Sequence, residues 1–140
     1  MIGISEDRTK HSLAVARYMA KMAAQKGWNQ ERCQEMFLLG YIHDIGYEFC
    51  EVQSEHPTVG ADLLKNQGYK YWREILYHGM ATDDYDSEEL ILLNIADMTI
   101  DSSGRNVGAG QRLLDIANRY GVDSVQYDEA YRLANKLKLL

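Results

Sequence analysis

Apolar residues recur three or four positions apart along nearly the whole chain, and nothing alternates with period two for long enough to predict a strand. Leu13, Ala16, Ala20 and Ala23 mark a first helix. Ser5 is its candidate cap, Glu6 and Asp7 set negative charge at the positive end of its dipole, and Gly27 ends it. Asn29 caps a second helix on which Met36, Leu39, Gly40 and His43 share one face, until Gly46 closes or bends it. The segment from Glu48 to Glu55 reads as a loop separating two histidines. Pro57 suits the first turn of a third helix through Val59, Ala61, Leu63 and Leu64 to about Gly68. A short helix follows from about Tyr71 to His78. After the acidic turn Asp83-Asp84-Tyr85-Asp86, Ser87 caps the run that carries Leu90, Ile91, Leu93, Asn94, Ile95 and Asp97. Ser102-Ser103-Gly104 opens a loop, and two last helices run from about Ala109 to Tyr120 and about Asp128 to Leu137. The prediction is an all-α bundle of about six to seven helices.

Length and composition narrow this further. The chain has 140 residues, room for one core, so residues 1–140 are expected to form a single domain. Its net charge of −6 argues against a nucleic-acid duplex as the main partner, yet leaves room for a small phosphorylated molecule held by a local cationic pocket. Cys33 and Cys50 are too few for a disulfide framework and are expected to stay reduced. No apolar run approaches the roughly 18 residues of a membrane span, and residues 1–7 lack the basic and apolar regions of a signal peptide. The expected address is cytoplasmic, with no membrane partner. The leucine-rich last helices, with Leu113, Leu114, Ile116, Leu133, Leu137, Leu139 and Leu140, either close the core or offer a face for a homodimer.

The informative polar residues are His11, the pair His43-Asp44, His56, His78 and Asp97, which include every histidine of the chain. Asp44 ends an apolar helix and Asp97 ends the stretch Leu90–Ala96, places where an ionised carboxylate is costly unless it is paired or binds a metal. Taken singly, each histidine is a core residue satisfied by a hydrogen bond, Asp97 an arginine's partner and Asp44 a turn cap. Taken together, imidazole nitrogens and carboxylate oxygens without thiolates point to a divalent ion such as Mn²⁺, Fe²⁺, Co²⁺ or Zn²⁺.

In this context the order of these residues resembles the HD superfamily of metal-dependent phosphohydrolases. Arg8-Thr9-Lys10-His11-Ser12 is similar to that family's opening R-x-x-H-S, and Leu38-Leu39-Gly40-Tyr41-Ile42-His43-Asp44-Ile45-Gly46 to its signature L-x-x-x-x-H-D-I-G. The segments His56-Pro57-Thr58-Val59-Gly60-Ala61-Asp62-Leu63-Leu64 and Ile75-Leu76-Tyr77-His78 resemble the additional histidines of a six-ligand, dinuclear subgroup, nearest to small YqeK-like proteins that split dinucleoside tetraphosphates. The resemblance implies an HD-domain bundle in which His11, His43, Asp44 and Asp97 hold one metal and Asp44 bridges to a second held by His56 and His78. The ions it implies are iron or manganese, with Zn, Co, Ni or Mg as further candidates. Two positions depart from the YqeK pattern: Tyr47 stands where a lysine is usual, and Gly79-Met80-Ala81-Thr82 replaces a threonine and an arginine after the fourth histidine. The cage is thereby expected intact while the substrate is left open.

Two such ions clamp a phosphate and lower the pKa of a bound water, so the expected activity is hydrolysis of a nucleotide or another small phosphate ester or anhydride. Charge developing on phosphorus calls for a cation. Arg8, one turn before His11, is the first candidate for catalysis and substrate binding, and Arg105 in the loop after Asp97 is the second substrate-binding candidate. Lys10 is expected to face solvent, as are Glu48 and Glu51. Tyr69, Tyr71 and Trp72 are read as core packing before a nucleoside pocket. The alternatives are an HD-type di-iron oxygenase and a metal-binding regulatory module without turnover.

Overall fold

The structure is a computed structural model and describes residues 6–46 and 56–140. Among these residues it contains seven helices and no strand: α1 (Glu6–Gln25), α2 (Gln30–Ile42), α3 (His56–Asn66), α4 (Trp72–Tyr77), α5 (Glu88–Thr99), α6 (Ala109–Tyr120) and α7 (Val125–Lys136). A single antiparallel bridge, Ile100 with Asn106, pins the loop after α5. The Ser5 cap and the loop from Glu48 to Glu55 lie outside the described residues, as does Cys50. Cys33 is a free thiol, donating to the Trp28 carbonyl oxygen at 3.5 Å.

Local chemistry explains most boundaries. Asn29 Oδ1 accepts from Arg32 N at 2.8 Å and Ser87 Oγ from Leu90 N at 3.0 Å, so both expected caps satisfy a backbone N–H that the helix leaves open. Gly27 stops α1 at φ +81°. The last helix begins three residues before the position expected, because Ser124 Oγ caps it by accepting from Tyr127 N at 3.0 Å. That serine follows a stretch without apolar periodicity, which hid the first turn.

Two apolar clusters build the interior. The larger joins Val15, Met19 and Ala23 of α1 to Met36 and Leu39 of α2, to Ala61, Leu64 and Ile75, and to Leu92, Leu93 and Ala96 of α5. Tyr69, Tyr71 and Trp72 pack against this cluster, as expected of core aromatics. The smaller joins Met98 to Leu113 of α6 and to Ala130, Leu133 and Ala134 of α7. The leucine-rich C-terminal helices therefore close a second core, with Leu114 and Leu140 left exposed. Helix α5 serves both clusters, which explains why its apolar residues run round the helix rather than along one stripe.

Helices α1 and α2 meet at a contact only glycine permits. A Cβ on Gly40 would lie 2.7 Å from Ala16 Cα and 2.9 Å from Ala16 N. This approach sets the His43-Asp44 turn at the end of α2 against the His11 turn of α1. Gly46 does the same for α3, since a Cβ there would collide with the His56 carbonyl.

Overpacking of this kind costs about 1–3 kcal/mol. Gly40→Val is expected to lose that much in urea unfolding. Gly110→Ala, at a helical position with open space around it, is expected to gain about 0.4–1 kcal/mol. Equal stability of the Gly40 variant and the parent would disprove the close contact.

Candidate metal centre

Six side chains from five parts of the chain converge at one end of the α1–α2 pair. His11 comes from the middle of α1, His43 and Asp44 from the turn after α2, His56 from the first residue of α3, His78 from the end of α4 and Asp97 from α5. His11, His43 and His78 are buried, and Asp44 is 9% exposed.

The two oxygens of Asp44 divide the cluster. Oδ2 lies 3.2 Å from His43 Nε2 and 3.8 Å from His11 Nε2, on the side where Asp97 Oδ1 sits 2.8 Å from His11 Nε2 and 3.3 Å from His43 Nε2. Oδ1 lies 3.2 Å from His56 Nε2 and 3.4 Å from His78 Nε2. Two overlapping sets of ligand-type atoms result: His11, His43 and Asp97 on one side, and His43, Asp44 and His78 on the other.

The tautomers follow from the backbone. His11 Nδ1 is 2.8 Å from the Asp101 carbonyl oxygen, His43 Nδ1 is 2.6 Å from that of Gly40 and His78 Nδ1 is 2.6 Å from that of Ile75. A carbonyl oxygen only accepts, so each Nδ1 donates its proton there and each neutral ring turns an Nε2 lone pair inward. The inward face thus sets lone pairs against carboxylate oxygens, an arrangement that repels unless a cation or a proton lies between. His43 Nε2 is fully buried and has no hydrogen-bond partner among the described residues. These donors fit a divalent ion: nitrogen and oxygen atoms, held by backbone bonds and short of positive charge.

A proton can take the place of such an ion, and the electrostatics favour it. Burial disfavours charge on His43, but Asp44 and Asp97 overcome this and hold its pKa well above the ordinary 6.5. Burial likewise opposes ionisation of Asp44 and Asp97, and charge on His43 reverses it, holding both well below 3.8.

Supporting residues that sequence reasoning did not single out hold this geometry. Buried Asn94 on α5 accepts from Gly79 N at 2.8 Å and so secures the turn that carries His78. Its signal was an amide inside an otherwise apolar run. Asp101 is also buried; its Oδ1 accepts from the backbone N–H groups of Ser103 (3.0 Å) and Arg105 (2.8 Å), while its carbonyl orients His11.

A cleft of about 570 Å³ opens from the cluster, lined by His11, Asp44, His56, His78 and Asp97 and by three arginines, Arg8, Arg112 and Arg119. Arg8 is where the spacing to His11 predicts. Arg105 is placed elsewhere: its Nε bonds Asp101 Oδ2 at 3.2 Å, its side chain is 79% exposed, and it is not part of the cleft lining. Asp101 recruits it to brace the loop, and α6 supplies the cleft's cations instead. Arg112 and Arg119 recur with Ile116 at i, i+4 and i+7, a stripe visible in the sequence. Lys10 faces solvent, paired with Glu6 at 3.5 Å. Tyr47, Glu48 and Glu51 lie outside the described residues.

An all-helical bundle that gathers four histidines and two aspartates beside one cleft defines a class, helical domains with a candidate metal centre. The HD domain model matches residues 8–121, and the chain belongs to that family, one of metal-dependent phosphohydrolases. Three bacterial proteins named Ribonuclease Y are each similar at 32% identity. That of Oleidesulfovibrio alaskensis aligns over 79% of this chain and 21% of its own length, that of Syntrophobacter fumaroxidans over 76% and 20%, and that of Fusobacterium nucleatum over 62% and 17%. The chain spans about a fifth of the length of these curated relatives. No solved structure matches it. Among the described residues, no helix is long and apolar enough to cross a membrane.

The cluster makes stability depend on pH with a definite sign. The raised pKa of His43 stabilises below pH 6.5 and is lost as pH rises through the folded-state value. The depressed carboxylates stabilise above pH 3.8 and are lost as pH falls through theirs. Chelator-treated protein is thus expected to gain most from the cluster between those values and to lose the His43 contribution as pH rises through its folded-state value. Mn²⁺ at a hundredfold excess over its Kd would add about 2.7 kcal/mol, a Tm rise of roughly 10 °C above the folded-state pKa of His43 and much less at pH 5, where the proton competes. A Tm rise independent of pH in scanning calorimetry would show that the ion does not replace this proton.

Proposed function

We propose that this domain is a dinuclear, metal-dependent phosphohydrolase that cleaves a nucleotide or another small phosphate ester or anhydride. The observation that carries the reading is the division of Asp44: one carboxylate oxygen faces His11, His43 and Asp97, the other His56 and His78. A carboxylate is the side chain suited to bridge, having two oxygens to share where an imidazole offers one inward nitrogen.

In this reading His11, His43, Asp44 and Asp97 hold one ion, and Asp44, His56 and His78 the other. Divalent ions bound there supply Lewis acidity toward water and a phosphate oxygen. The chain's own residues do the rest. The carbonyls of Asp101, Gly40 and Ile75 keep three imidazoles neutral and aimed. Arg112, whose Nε reaches the Asp97 carbonyl oxygen at 3.4 Å, and Arg8, which lines the same cleft, offer guanidinium donors to the phosphoryl oxygens. Buried α5 behind Asp97 limits water to the cleft side. Iron and manganese both suit the nitrogen and oxygen donors.

The similarity to proteins named Ribonuclease Y favours a second substrate, a phosphodiester of RNA, which the same residues would cleave. A panel of mononucleotides, dinucleotides, nucleoside oligophosphates and a short RNA, assayed with Mn²⁺ and with Fe²⁺, separates the two. Phosphate or nucleotide release is expected, and Asp44→Ala is expected to reduce it at least 1,000-fold, about 4 kcal/mol of transition-state stabilisation. Elemental analysis is expected to give two ions per chain, falling to one in His56→Ala together with loss of turnover. Unchanged metal content and activity in His56→Ala would overturn the dinuclear reading, and absence of hydrolysis across the panel would overturn the phosphohydrolase one.

A further inference from the structure

The cleft extends well past the His/Asp cluster, and what lines its far part has its own chemistry. Arg112 sits against Asp97 at the near end. Arg119 lines the same cleft seven residues on, two turns along α6, which is about 10 Å at 1.5 Å per residue. Between them, on the same stripe, Ile116 lines the cleft and packs against the cluster of Met98, Ala130 and Leu133. The order outward from the cluster is therefore cation, apolar surface, cation.

Helix α7, which follows the residues matched by the family model, supplies the opposite wall. It is tied to the loop after His78: Glu129 Oε1 accepts from Ala81 N at 2.6 Å, and Lys136 Nζ donates to the Thr82 carbonyl oxygen at 2.6 Å and pairs with Asp83 at 3.1 Å. These ties make α7 a fixed wall. They also engage Glu129, the carboxylate that faces the arginines from that side, while among the described residues no carboxylate pairs with Arg119.

We propose that Arg119 is a specificity-determining residue that binds a second phosphate of the substrate, carried beyond the scissile one across an apolar, base-sized group seated at Ile116. The substrate class is thereby a phosphate ester with at least two phosphates separated by a nucleoside, rather than a simple monoester. This rests on the phosphohydrolase reading only for the role of the first phosphate. A single phosphate at the cluster would leave a cation about 10 Å away with no function in recognition.

The test is binding, so that it does not depend on turnover. With Mn²⁺ present, adenosine 5′-phosphorothioate, a 5′-thiophosphorylated adenosine dinucleotide with a phosphorothioate link, and tripolyphosphate are titrated calorimetrically into the parent protein, Arg119→Gln and Arg119→Lys. The dinucleotide is expected to bind at least about tenfold more tightly than the mononucleotide. Arg119→Gln is expected to abolish that margin without changing mononucleotide affinity, and Arg119→Lys to keep most of it. Arg119 is exposed on α6, so these variants keep the fold. Equal affinities in the parent, or equal losses for both nucleotides in Arg119→Gln, would overturn the proposal. Tripolyphosphate binding as tightly as the dinucleotide would overturn the apolar spacer. An intact Arg119-dependent margin in a protein that hydrolyses nothing would sink the phosphohydrolase reading and leave this one standing.

Discussion

The structure turns on one electrostatic conflict. Imidazole lone pairs and carboxylate oxygens face one another at 2.8–3.8 Å in a largely buried space, and only positive charge between them makes that arrangement tolerable. Backbone carbonyls take the outward Nδ1 protons, so the conflict cannot be relieved by switching tautomer. The fold instead concentrates its polar supports there: Asn94 on the turn of His78, Asp101 behind His11, and the glycine contacts that press three helix ends together.

Helix α5 is the element on which this depends. Leu92, Leu93 and Ala96 lock it into the core shared with α1 and α2, and Met98 into the core shared with α6 and α7. Asp97 stands between those two clusters, where a carboxylate is held in place by packing on either side. The same division separates tasks: the α1–α4 side presents the histidines and Arg8, while the α6–α7 side presents Arg112, Arg119 and apolar surface. A cleft between two packed units can vary its α7 wall without disturbing the ligand cluster, and α7 follows the family match that ends at residue 121.

Much of this was legible in the chain. Helical periodicity, with Asn29, Ser87 and Gly27 as punctuation, located the helices, because caps and breakers act within a few residues of where they stand. The polar residues at apolar helix ends named the six side chains that the fold brings together. The Ser124 cap went unread because no periodic apolar run follows it closely, and Asn94 was passed over as one residue of an apolar stretch.

Local sequence thus determined which segments are helical and which side chains are too polar for their surroundings, since both depend on neighbours within a turn or two. Only the tertiary structure decided how those side chains are shared: that Asp44 faces two sets of ligands, that Arg105 braces Asp101, and that Arg112 and Arg119 line the cleft. The reason is range. A guanidinium finds the nearest carboxylate in space, and for Arg105 that was four residues away, while the cleft drew its cations from a helix that sequence distance alone does not place beside Asp97.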